Sequence, residues 1–211
     1  MKISQQYGKY LFGTSVALLL GAGMIHPVVA AEPEPFSALS TLCAISPNVV
    51  TPPDQKGNHG VLVQTDMTYI YRNQALDDQS LMNAWENHTN NWKQTPRGVE
   101  FYWGHNTNIP DDHAGTGTLE EDFKFKASEL ADGISGVLQG TGDLEGVTVE
   151  YELTPPNVLP ASEYPVECYG YVALCPECFP AITPGPDGIP GTEDDEFYQY
   201  DFSGWIEGYT P

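Results

Sequence analysis

Positive charge is scarce in this chain. Eight Lys and Arg stand against 29 Asp and Glu, a formal net charge of −21 at pH 7. Lys2 and Lys9 both fall in the first 31 residues, so the remainder is more acidic still, with only Lys56, Arg72, Lys93, Arg97, Lys124 and Lys126. Such a surface repels phosphate backbones and anionic lipid, which argues against nucleic acid or a membrane surface as partner. It attracts cations, either bound specifically or as screening ions, and stability is expected to rise with salt. Catalytic signatures are also missing. No Gly-x-Ser-x-Gly elbow, His-Glu-x-x-His pair, Walker loop or Rossmann fingerprint occurs, so the sequence names no reaction. Carboxylate pairs are too abundant in so acidic a chain to signal a glycosidase.

Long apolar runs are absent beyond the N-terminus. Leu11 to Ile25 is apolar or small and follows the basic Lys2 and Lys9. With small residues at Val28-Val-Ala30 or Val29-Ala-Ala31, residues 1–31 read as a cleaved export signal. The run falls short of the ~20 residues a spanning helix needs, and no cysteine follows it for lipid attachment. The mature chain is therefore expected to be soluble, without a transmembrane segment, and secreted or periplasmic. Glu32-Pro-Glu-Pro35 and the Pro- and Gly-rich stretch after Ser46 mark residues 32–60 as a mobile N-terminal segment. Residues 61–211 are then enough for one β-rich domain with its own core.

Cysteine is sparse too: Cys43, Cys168, Cys175 and Cys178. An even count in an exported chain argues for disulfides. Of the three pairings possible, the one expected joins Cys43 to the Cys168 region and lets Cys175 and Cys178 close a local loop. The rivals are a zinc knuckle and a redox pair at Cys175-Pro-Glu-Cys178. A ribbon needs a second CxxC, and a thioredoxin-like site needs a βαβ pattern; neither occurs.

What the chain does have is strand signal. Gly115-Thr-Gly-Thr-Leu-Glu120 reappears as Gly140-Thr-Gly-Asp-Leu-Glu145, and each copy runs into an alternating segment. Phe123 and Phe125 alternate with Asp122, Lys124 and Lys126, while Val147, Val149 and Tyr151 alternate with Thr148, Glu150 and Glu152. Alternation gives one buried and one wet face. Further strands are predicted over 61–71, 97–105, 133–139, 167–175 and 197–209, with a short helix or strand over 37–45. Asp77 to Lys93 is predicted as an amphipathic helix, with Leu81, Trp85, His88 and Trp92 on one stripe. The fold class is mainly β, an antiparallel barrel or sandwich with one amphipathic helix.

Three groups of residues could carry chemistry. His105, Asp111, Asp112 and His113 form a polar cluster able to hold a transition metal or divide acid and base roles, or a loop tip that collects polar residues. Tyr69, Tyr71, Tyr102, Trp103, Tyr198, Tyr200 and Trp205 lie on strands, and any on the wet face could stack on sugar rings of a surface polymer. Within the acidic loop 181–196, Asp187, Glu193, Asp194, Asp195 and Glu196 supply oxygens, and Gly188, Pro190 and Gly191 supply turns, for Ca²⁺. An EF-hand is excluded, since Ile189 and Gly191 stand where ligands are needed.

Two resemblances attach to these residues. Gly140-Thr-Gly-Asp-Leu-Glu-Gly146 resembles the GTGxLxG turns of exported bacterial barrels of the allene-oxide-cyclase-like, calycin-like type, which implies a closed barrel and carries no catalytic residue over. The Asp187 stretch resembles Asp-Gly-x-Pro-Gly-Thr-x-Asp-Asp segments similar to thrombospondin type 3 calcium repeats. The expectation is an exported acidic binding or structural module stabilised by Ca²⁺, more a binder than an enzyme, with an unknown ligand or surface polymer as partner. The alternative is a calycin-like barrel enzyme or carrier for a small hydrophobic ligand, with His105 or His113 at its mouth. A roomy interior with convergent polar groups favours the alternative, and a filled one favours the structural module.

Overall fold

The computed structural model describes residues 32–46, 54–56, 61–111 and 116–209, and the side chains of 54–56 and 61–66 are not described. The stretch read as an export signal, together with His59, Asp112 and His113, lies outside the described residues. Ala31–Pro211 forms one unit.

Its strands, in chain order, are β1 (Glu34–Ser46), β2 (Asp54–Lys56), β3 (Val61–Ala75), β4 (Ala84–Gln94), β5 (Glu100–Pro110), β6 (Leu119–Lys126), β7 (Ile134–Gly140), β8 (Thr148–Leu153), β9 (Asn157–Pro160), β10 (Phe179–Pro180) and β11 (Glu196–Glu207). Every pairing is antiparallel, and the order runs β1-β11-β8-β7-β6-β5-β4-β3. β3 then pairs with β1, Ala38 opposite Ala75 through Ser46 opposite Thr68, and this contact closes an eight-strand barrel. Closure satisfies the backbone of both edge strands, which an open sheet would leave exposed.

The alternation of the repeat segments sets the inside and the outside. In β6, Leu119, Phe123 and Phe125 face in while Asp122, Lys124 and Lys126 are exposed; in β8, Val149 and Tyr151 face in and Glu150 and Glu152 out. The strand predicted over 133–139 is β7, which pairs with both. The two repeat copies are themselves in contact. The Thr141 N–H donates to the Thr118 carbonyl, the Thr116 N–H to Asp143, and the Thr118 and Thr141 hydroxyls are 2.6 Å apart. Gly142 makes this possible: its φ is +57°, and a Cβ there would stand 2.8 Å from the Thr116 carbonyl oxygen. Leu119 and Leu144, one from each copy, are then fully buried together.

They belong to an apolar plug at one end of the barrel, where β1 starts and β11 finishes. Phe36, Leu138, Val149, Phe202 and Ile206 meet Leu81 and Met82 there, and those last two come from a 3₁₀ turn, Ser80–Met82, between β3 and β4. A second, smaller core lies outside the barrel wall, where Cys43, Tyr164, Cys168 and Phe197 pack under an α-helix, α1 (Val166–Leu174).

Three expectations are corrected. The helix predicted over Asp77–Lys93 is instead the 3₁₀ turn followed by β4, with all eleven β4 residues paired to β5 from Ala84 opposite Pro110 to Gln94 opposite Glu100. The strand predicted over 167–175 is α1: Pro165, whose ring presets φ, stands at its N-cap, and Cys168 and Tyr171 tie it down. The mobile segment expected over 32–60 does not hold for Glu34–Ser46, since β1 is the strand that closes the barrel. No helix among the described residues is long and apolar enough to cross a membrane.

Candidate functional site

Away from the apolar plug, the barrel is not filled. A cavity of about 340 Å³ lies among inward-facing side chains of β1, β3, β4, β5, β6, β8 and β11. Its wall is aromatic: Tyr71 meets Tyr200 with centroids 6.3 Å apart, Tyr102 stacks on Phe125 at 5.4 Å, and Tyr151 meets Phe202 edge-on at 5.1 Å.

Into this wall β4 inserts Glu86, His88 and Asn90, three polar residues at alternate positions of one strand. Glu86 is buried. One carboxylate oxygen contacts His88 Nε2, and the other accepts from Asn73 Nδ2 at 2.5 Å. Asn73 also donates to Asn108 Oδ1 at 2.7 Å, and Asn108 donates to Asn106 Oδ1 at 3.2 Å. The network runs from β4 to β3 and β5 and ends the apolar plug on its cavity side. Burial pushes the Glu86 carboxyl upward, yet the His88 charge and hydrogen bonds from His88, Asn73 and Asn106 outweigh it, so its pKa lies below the ordinary 4.5. The His88 ring packs between Tyr71, at 4.7 Å, and Phe123, at 5.3 Å.

A second polar pair adjoins this network through Asn106, whose Nδ2 donates to Glu121 Oε1 at 3.5 Å: the Tyr151 hydroxyl also donates to Glu121 Oε1. Gly136 of β7 leaves the room, since a Cβ there would lie 2.5 Å from that hydroxyl and 2.6 Å from Glu121 Oε2. Here the barrel wall is thin. β6 and β7 pair only through Leu119–Gly140 and Glu120–Gln139 and then diverge, leaving a seam lined by Glu121, Phe125, Ile134 and Tyr151, residues that also border the cavity or hydrogen-bond to its wall.

The interior phenols are held neutral. Burial first, then neighbouring charge, raises Tyr69, Tyr71, Tyr102 and Tyr151 above 10.0, and pushes Tyr200 up to about 12; burial does the same for Tyr164 in the outer core, to about 12. A raised folded-state pKa means that the native barrel keeps phenolic protons the unfolded chain has lost. Stability from this source is complete below pH 10 and disappears as pH rises toward 12 and beyond. Tyrosinate absorbance is therefore expected to rise late and in one step with loss of near-ultraviolet circular dichroism. Independent titration of these tyrosines near pH 10 in a still-folded protein would refute the buried arrangement.

The residues singled out in the sequence are distributed differently. Cys43–Cys168 and Cys175–Cys178 are both disulfides, as expected, which matches an oxidising compartment. Tyr69, Tyr71, Tyr102, Tyr198 and Tyr200 line the cavity, whereas Trp103 and Trp205 face outward. His105 is also on the outer face, where Nδ1 is 3.0 Å from Asp122, while Asp111 pairs with Arg72 at 2.5 Å. The two do not meet. In the acidic loop the Asp187 carboxylate accepts from the Ile189 N–H, Asp194 from the Thr192 hydroxyl and the Asp187 N–H, and Asp195 from the Gly191 N–H. The Thr192 and Asp187 bonds hold the half-buried Asp194 below its usual pKa. Glu193 is exposed, and Glu196 opens β11, where its backbone pairs with Thr183. Among the described residues no three His, Cys, Asp or Glu side chains converge to hold a metal ion.

Sequence reasoning missed Glu86, Asn73, Asn106 and Asn108 altogether and placed His88 on a helix. The available signal was the polar alternation Glu86, His88, Asn90. Comparison with known proteins gives no match: no family model, curated protein or solved structure aligns with the chain.

Proposed function

We propose that this chain is a small-molecule-binding barrel, exported, that holds a compact and largely apolar ligand in its interior. The observation that carries the reading is the cavity itself. At about 340 Å³ it falls in the range of ligand sites, and it combines an aromatic wall with a few fixed polar groups at its floor. A purely structural module has no use for a buried Glu86–His88 contact next to unfilled space, since such polar groups cost desolvation that apolar packing avoids. The same contact supports a second reading, a barrel enzyme in which His88, partnered by Glu86, exchanges a proton with bound substrate. The export signal and the calycin-like resemblance agree with either.

Neutral aromatic probes test the binding reading. Benzyl alcohol and 2-naphthol are expected to raise the melting temperature of the mature protein and to quench its tyrosine emission in proportion to occupancy. Ser40 is buried at the cavity wall, and Ser40→Leu is expected to abolish both effects while the barrel still unfolds cooperatively. Absence of any probe effect on the unmodified protein, or full retention in Ser40→Leu, overturns the reading.

A further inference from the structure

The charge of the interior narrows what that ligand is. Among the described residues the cavity wall contains no Lys or Arg, and His88 is its one basic group. Against it stand the carboxylate of Glu86 in the wall and that of Glu121 hydrogen-bonded to Tyr151. Counting the β6–β7 seam, two carboxylates stand against the single histidine. Two unsatisfied groups at and beside the wall have the same sense. Asn90 Oδ1, on the cavity wall, and Asn73 Oδ1, in the adjoining network, are buried acceptors without a donor. A buried acceptor left open is costly, and a ligand N–H relieves that cost.

The aromatic wall points the same way. Ring faces are negative and edges positive, so a box of Tyr and Phe side chains stabilises a cation that has given up its water. Here the phenols are neutral and their rings, Tyr71, Tyr102, Tyr200 and Phe125 among them, surround the space from several strands. The surface beside the cavity is acidic as well. The seam between β6 and β7 is lined by Glu121, Asp122 and Glu129 against a single Lys124, and the acidic exterior adds a long-range field that draws cations toward it.

We infer that the cavity is a site for a small organic cation, a protonated amine on a compact apolar body, and that an anionic ligand such as a fatty carboxylate is rejected. The ammonium takes the Glu86 end of the cavity, and the apolar body lies against the rings. This rests on the reading of the cavity as a ligand site, and the two are separable by experiment.

Three probes of one shape decide it: benzylamine, benzyl alcohol and benzoate, titrated calorimetrically into the mature protein at pH 7. Benzylamine is expected to bind about tenfold or more tighter than benzyl alcohol, as a desolvated cation over aromatic faces should, with benzoate weakest. Glu86→Gln is expected to erase most of that preference, read as the ratio of benzylamine to benzyl alcohol affinity in the same variant. Tyr200→Leu, which changes no charge and lies away from the polar network, is expected to reduce the preference for benzylamine as well and serves should Glu86→Gln fail to fold. Equal binding of benzylamine and benzyl alcohol overturns the cation assignment and leaves the cavity reading intact. Binding of none of the three overturns both. Tightest binding of benzoate overturns the assignment outright.

Discussion

Replacing Cys43 and Cys168 together by Ala is expected to cost about 5 kcal/mol of stability, the largest effect of any small substitution in the chain. The bond joins residues 125 apart, β1 of the barrel to α1, and both cysteines are fully buried. A cross-link between positions so distant removes a great deal of freedom from the unfolded chain, and the loop-closure relation gives about 5 kcal/mol at this length. In a domain of this size that corresponds to a drop in melting temperature of roughly 10–20 °C. Local packing adds to the effect, because Tyr164 and Phe197 close around the pair and the Tyr164 hydroxyl donates to the Cys43 carbonyl. The companion bond is the internal control. Cys175–Cys178 spans only three positions, so its removal is expected to cost about 2 kcal/mol or less. Urea unfolding of the two double variants compares them directly. Equal losses, or a loss below about 1 kcal/mol for Cys43/Cys168, would show that the long-range link contributes little.

The contrast between β6 and β4 shows which parts of this fold could be read from sequence. β6 turns Phe123 and Phe125 inward and Asp122, Lys124 and Lys126 outward, so hydrophobicity itself alternates with the pleat. β4 pleats in the same way, but its inward residues are Ala84, Glu86, His88 and Asn90, and its outward ones include Asn87, Thr89, Asn91 and Lys93. Both faces are polar, so period-two alternation vanishes. The large residues left, Leu81, Trp85, His88 and Trp92, happen to fall at helical spacing. In the fold they separate: Leu81 plugs the barrel end, Trp85 stacks outside against Tyr171 of α1 at 4.7 Å, and His88 faces the cavity. The strand that supplies the candidate site was unreadable because it supplies the site. A lining that must hold Glu, His and Asn cannot also advertise a buried face, and local pattern fails where function overrides it. The disulfides were legible for the opposite reason, since four cysteines in an oxidising compartment leave few alternatives. The closure of β3 on β1 was not, because nothing in the alternation of either strand names its partner.

Glu86 is therefore the residue whose removal tests the site most severely. In Glu86→Ala, His88 loses its carboxylate and Asn73 loses its acceptor inside a wall that admits little water. Breaking a buried pair in this way costs about 3–5 kcal/mol, because the partner left behind stays desolvated. Glu86→Gln keeps the shape and an acceptor for Asn73, so the expected loss is smaller, about 1–2 kcal/mol. The acid limb distinguishes a charged Glu86 from a merely space-filling one. Its folded pKa is below the ordinary 4.5, so the unfolded chain takes up this proton first as pH falls. The stabilisation is complete above pH 4.5 and is lost as pH drops through the folded value. In Glu86→Gln that component is absent, and stability measured by urea unfolding should decline less steeply between pH 4.5 and lower pH than in the unmodified protein. An Ala variant as stable as the parent, or an acid limb unchanged in the Gln variant, would remove Glu86 from the polar network and with it the anionic floor of the cavity.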